Sequence, residues 1–162
     1  MNKILVIGIG NPILGDDGLG IHAVRSISEE CKGYKNLSFK EASIGGLGIL
    51  EEILDYDKVI IIDAMVTGKH AVGEIKKLKV EDFSNTKHST SPHDINFATA
   101  LEIGKRSMPE RIPKEISIYA VEVGNRNIYN FSEELSPEIK ESVKKVAKFV
   151  KKEIEEECNK VN

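Results

Sequence analysis

The apolar positions of this chain fall into solid runs and spaced stripes. Residues 3–9, KILVIGI, form a solid run that predicts a strand buried on both faces. KVIIIDAM (58–65), dense in β-branched residues, and EISIYAVEV (115–123) predict two further strong strands. LSFKEA (37–42) alternates like a strand. GEIKKLKV (73–80) alternates apolar residues with lysine, as a strand with one wet face at a sheet edge does. Between these runs the spacing becomes helical. Ile21, Val24, Ile27 and Cys31 predict a helix over 17–31, and Leu47, Leu50, Ile53 and Leu54 a short one over 47–55. Ser91-Pro92 with Asp94 predicts a helix start, with Ile95, Ala98 and Leu101 facing inward as far as about residue 107. Ser136-Pro137 opens a long helix over 137–157, striped by Ile139, Val143, Val146, Val150 and Ile154. Strands alternating with helices predict right-handed crossovers and an α/β fold. The expected form is a three-layer α/β/α sandwich around a mostly parallel sheet.

Composition narrows this picture without redirecting it. At 162 residues, 40% hydrophobic and 30% charged, the chain reads as one domain spanning 1–162, large enough for its own core. A net charge of −3 offers no basic footprint for nucleic acid. No apolar run is long enough for a membrane span. Met1 to Ile7 leads straight into the first loop without a cleavage site, so no signal peptide and a cytoplasmic location are expected. Cys31 and Cys158 stand far apart outside any CxxC pattern, which predicts free thiols, Cys31 on a buried helix face and Cys158 near a helix end.

The chemistry concentrates where strands end. Residues 8–20, GIGNPILGDDGLG, follow the first strand. Gly8 and Gly10 suit a tight turn, and Gly18 and Gly20 suit close approach of the helix to the sheet. Gly45, Gly46 and Gly48 predict a second permissive loop. In open α/β sheets, sites form beyond the carboxyl ends of strands. That rule selects Asp16 and Asp17 after the first strand, Asp63 at the end of KVIIID, and His93 in the first turn of the helix starting near Ser91. Two carboxylates and an imidazole make a half-shell for a divalent transition metal, with positions left open for a substrate. Each also has a structural reading. Asp16 reads most simply as a helix N-cap, Asp17 as a complement to the helix dipole, and His93 as an exposed first-turn histidine. Asp63 follows four apolar residues, so its carboxylate is expected to be buried and in need of a partner. His22, His70 and His88 have weaker claims.

The four motifs G-x-G-N-x-x-x-x-D-D-G-x-G (Gly8 to Gly20), Gly45-Gly46, I-D-A (Ile62 to Ala64) and S-P-H (Ser91 to His93), in this order, resemble the hydrogenase maturation proteases. The resemblance covers roughly residues 3 to 150. It implies a twisted five-stranded sheet between helices. It also implies an endopeptidase, grouped with the aspartic-type peptidases, that trims the C-terminal extension of a nickel–iron hydrogenase large-subunit precursor after nickel insertion. Asp17, Asp63 and His93 are the metal-contacting positions it implies. Many members carry glutamate where this chain has Asp17, which shortens the ligand by one methylene. The nickel is expected to arrive with the precursor, and the enzyme is expected to be a monomer. Water activated by the metal, and the two aspartates acting as an acid–base pair, are both open chemistries. A non-catalytic docking protein for hydrogenase maturation is a second reading. A Rossmann-type nucleotide-binding domain is a third: Gly8-x-Gly10 follows a strand and Glu41 stands near a ribose-binding position, but Asp16 and Asp17 would face a pyrophosphate.

Overall fold

The computed structural model describes residues 2–43, 45–83 and 96–160. The three apolar runs become adjacent parallel strands: β1 (Ile4–Ile9), β3 (Lys58–Met65) and β5 (Glu115–Glu122). They form the middle of a five-stranded sheet of order β2-β1-β3-β5-β4. β2 (Leu37–Ala42) pairs parallel to β1, with Ile4 opposite Leu37. β4 (Ile75–Leu78) pairs antiparallel to β5 at the other edge, as its lysine alternation predicts. The helices are α1 (Leu19–Glu30), α2 (Gly46–Ile53), the short α3 (Val80–Phe83), α4 (Phe97–Ser107) and α5 (Pro137–Asn159).

Alternation along the central strands divides the core into two layers. Val6, Ile60, Ile62 and Val121 face α1 and α5, packing on Ile27, Val146 and Val150. Leu5, Ile7, Val59 and Ile61 face the opposite layer, packing on Ile53, Phe83, Phe97 and Leu101. Neighbouring residues on one strand point to opposite faces, so an unbroken apolar run is what a sheet covered on both sides requires. This is the expected three-layer α/β/α sandwich. Cys31 is buried at the end of α1, Cys158 is half-buried near the end of α5, and both are free thiols.

Two boundaries differ from the pattern-based expectation. α1 begins at Leu19, preceded by a 3-10 turn over Gly15–Gly18 that holds both aspartates of the first motif. α4 begins at Phe97, where the Asn96 side chain accepts from the Thr99 N–H at 2.9 Å. The expected start at Ser91-Pro92 lies outside the described residues. Gly45 is extended and Gly46 and Gly48 fall inside α2, so the second glycine cluster starts a helix instead of forming an open loop.

At the amino end of the sheet, Glu153 of α5 anchors a buried polar cluster. It accepts from Tyr119 Oη at 2.5 Å, from Lys77 Nζ at 3.1 Å and from Ser117 Oγ, and it pairs with Lys58 Nζ at 3.0 Å. Burial opposes its ionisation, but the hydrogen bonds from Ser117, Tyr119 and Lys58 outweigh burial and hold its carboxyl down to about 2. An unfolded glutamate ionises near 4.5. The stability this group contributes is therefore complete above about 4.5 and is lost as pH falls from there toward about 2. Glu153→Gln is expected to lower stability at pH 7 by on the order of 2 kcal/mol, part of the charge effect being screened by solvent. The gap between variant and parent should narrow at pH 3. Urea midpoints at the two pH values check this; a constant gap would count against it.

Candidate active site

The carboxyl ends of β1 and β3 lie side by side, and both aspartate-bearing segments meet there. The chain leaves β1 through Gly10, whose φ of 146° is open to glycine, and a Cβ there would sit 2.0 Å from the Asp17 carbonyl oxygen. The 3-10 turn then returns against the strand ends. A Cβ on Gly20 would sit 2.4 Å from the Ile62 carbonyl oxygen and 2.5 Å from that of Ile9. The motif glycines therefore permit the backbone approach expected of them, and that approach brings Asp17 beside Asp63.

Asp63 is buried at 1% exposure near the end of β3, and its Oδ1 accepts from the Ala64 N–H at 2.7 Å. Burial, followed by the nearby Asp17 carboxylate, pushes its carboxyl well above the usual range, while the Ala64 N–H acts in the opposite direction. Asp17 is oriented from behind: its Oδ2 accepts from the Asn11 N–H at 2.9 Å. Two acids held together, one of them buried, form an arrangement that a cation would stabilise and an anion would not.

Asp16 does not cap α1. The N-cap position is Gly18, and no side chain caps the helix. Asp16 turns the other way and is buried at 2% exposure, accepting from the Ser136 N–H and hydroxyl at 2.7 Å each. The local pattern favoured an N-cap, but the preferred donors lie far along the chain. His93 and His88 lie outside the described residues. Phe97, near His93 in sequence, packs edge-on against Phe83 with centroids 6.0 Å apart, in the layer toward which Asp63 alternates. His22 lies on α1, and His70 sits 3.7 Å from Glu74 beyond β3. Among the described residues no three His, Cys, Asp or Glu side chains group closely enough to hold a metal ion.

Sequence reasoning missed three contributors to this rim. Ser136 read only as a helix start, and Asn127, whose carbonyl accepts the Asp16 N–H at 2.8 Å, carried no local signal. Glu122, at the end of β5, is buried and accepts from the N–H groups of Thr67 (2.9 Å) and Gly68 (2.9 Å) and from the Thr67 hydroxyl (2.8 Å), fixing the loop after β3. An acidic residue ending an apolar strand, as in VEV, was the available sign. Glu41, the expected ribose-binding position of a nucleotide domain, instead takes a two-pronged contact from Arg25 at 2.7 and 2.9 Å. Exposed apolar side chains stand on segments that follow strand ends: Ile13 after β1, Leu47 after β2, Val72 after β3, Tyr129 and Phe131 after β5.

Residues 21–153 match the family model described as hydrogenase maturation protease. The match takes in Asp63 and His93 and starts just after the aspartate turn. The chain is 27% identical over 123 residues to the hydrogenase 2 maturation protease of Escherichia coli, covering 74% of this chain and 72% of that protein. It is 32% identical over 102 residues to a putative hydrogenase maturation protease of Methanocaldococcus jannaschii, covering 61% of this chain and 65% of that one. Among solved structures, the hydrogenase maturating endopeptidase HybD of E. coli superposes with a TM-score of 0.75 at 22% identity, over 96% of this chain and 93% of that chain. The HybD maturation protease of Thermococcus kodakarensis superposes with a TM-score of 0.62 at 23% identity, over 93% and 97%. At these identities the structural matches speak for the fold. No helix among the described residues is long and apolar enough to cross a membrane.

Proposed function

This chain belongs to the hydrogenase maturation protease family, and on that premise we propose that it is an endopeptidase acting on a nickel–iron hydrogenase large-subunit precursor. It removes the precursor's C-terminal extension once nickel has been inserted, and it works in the cytoplasm as a monomer. Asp17, Asp63 and His93 contact the nickel that the precursor carries, so the metal is part of the substrate. The observation that carries this reading is the pairing of buried Asp63 with Asp17 where β1 and β3 end. Bringing a cation to that pair relieves the repulsion between the two acids and compensates the burial of Asp63. A precursor without nickel provides no such gain, which makes the acids a test of readiness as well as a grip. The exposed apolar side chains on segments that follow strand ends, Ile13 and Phe131 among them, support a polypeptide ligand.

Placed against the nickel, the scissile carbonyl needs an attacking water. The metal can lower that water's pKa, or an acid of the pair can take its proton. The first route fits a carboxylate pair engaged with the cation, and the second would justify the aspartic-type grouping. The decisive experiment follows the intact mass of the precursor, prepared with and without nickel, after mixing with this protein. Release of a C-terminal peptide from the nickel-loaded form alone is the expected result. Equal release from both forms would remove nickel from the recognition step. Binding without release, across every hydrogenase precursor of the source organism, would favour the non-catalytic docking reading.

A further inference from the structure

Asp16 stands next to a candidate metal-contacting residue and yet faces away from it. Both of its carboxylate oxygens are taken by Ser136, one by the main-chain N–H and one by the hydroxyl, at 2.7 Å each. It is only 2% exposed, so it is closed to substrate. Ser136 is the N-cap residue of the 23-residue helix α5, and a carboxylate at that end is favoured by the helix dipole and by charge-assisted hydrogen bonds. The same turn is fastened along its backbone. The Gly15 N–H donates to the Ser132 carbonyl at 2.8 Å, the Asp16 N–H to that of Asn127 at 2.8 Å, and the Ser132 N–H to that of Ile13 at 2.9 Å. Gly15 sits at φ 55°, where a Cβ would meet the Asn127 carbonyl oxygen at 2.3 Å. With the turn held in this way, Asp17 accepts from the Asn11 N–H and stands near enough to Asp63 for its charge to act on that carboxyl.

We propose that Asp16 is a positioning residue: its clasp with Ser136 fixes the 3-10 turn and thereby holds Asp17 against Asp63. A fastener that only stabilised the fold would raise melting temperature and leave the folded molecule's Asp17 in place. The Asn11 amide distinguishes the two roles, because it is hydrogen-bonded to Asp17 itself.

The test compares Asp16→Ala with Asp16→Asn in two measurements. The first is the amide NMR spectrum of the free protein, read at Asn11 and, as a control on the fold, at β1 and β3. The second is cleavage of nickel-loaded precursor, and only this arm rests on the endopeptidase reading. Asp16→Ala is expected to shift the Asn11 amide while the strand amides stay in place, and to lower kcat/KM about tenfold to a hundredfold. Asp16→Asn can still accept from the Ser136 N–H and can donate to the Ser136 hydroxyl, so it is expected to restore the Asn11 signal and most of the activity. If Asp16→Ala does not fold, Ser136→Ala, which keeps the main-chain donor, should shift the Asn11 amide in the same direction by less. An unchanged Asn11 amide in Asp16→Ala or, failing that variant, in Ser136→Ala overturns the proposal. Equal loss of activity in Asp16→Asn and Asp16→Ala overturns it too, since the charge would then act directly. Should the parent protein cleave nothing, the endopeptidase reading fails, and the amide measurement still decides the clasp.

Discussion

Asp63→Asn is expected to lower peptide release from the nickel-loaded precursor by at least about 100-fold and to give a metal-free protein that melts higher than the parent at pH 7. The two effects have one cause. Asp63 is buried near a second carboxylate, and both the burial and that neighbour disfavour its charged form. Asparagine has nearly the same shape and keeps an oxygen to accept from the Ala64 N–H, but it carries no charge to desolvate or repel. Stability is then gained where function is lost, as is common at sites built for a charged ligand. Thermal melts of the metal-free proteins, together with intact-mass assays of the precursor, check both halves. A variant that releases the peptide normally would remove Asp63 from the reaction. One that melts well below the parent would show Asp63 to be a structural support.

The second large effect concerns stability alone. Gly8→Ala is expected to cost about 3 kcal/mol, a fall of roughly 6–12 °C in melting temperature for a chain of this size. Its Cβ would lie 2.1 Å from the Gly20 carbonyl oxygen and 2.9 Å from Val24 Cγ1. The first contact is with backbone, and no rotamer change relieves it. Moving α1 outward would in turn loosen Leu19, Val24 and Ile27 in the layer against β1 and β3. Gly33→Ala is the internal control, because nothing lies within 4 Å of its added Cβ. It should change the melting temperature by less than about 2 °C. Equal losses in the two variants would mean that the close approach of α1 is not what Gly8 is there to permit.

The fold was legible where information is local. Runs such as VIII at 59–62 can satisfy only a strand covered on both faces, and the lysines of IKKL already mark an edge. The four motifs identified the family, and the strand-end rule brought Asp17 and Asp63 to one rim. What stayed hidden depends on distant partners. Asp16 next to a helix looks like an N-cap until its true donors, 120 residues on, are seen. The cap that Asn96 gives α4, an acceptor directly before Phe97, carried no signal as clear as a Ser-Pro pair. Glu122 could be found only once the loop after β3 was seen to fold back onto it.

The clasp between residues 16 and 136 also sets an order in time. During synthesis the acid turn emerges well before its fastener, which arrives only after β5 and the loop beyond it have been made. Until then Gly15 and Asp16 lack Asn127, Ser132 and Ser136 as partners. A chain interrupted before Ser136 can carry the whole first motif without the contacts that hold it, so the acid turn waits for a residue made 120 positions later.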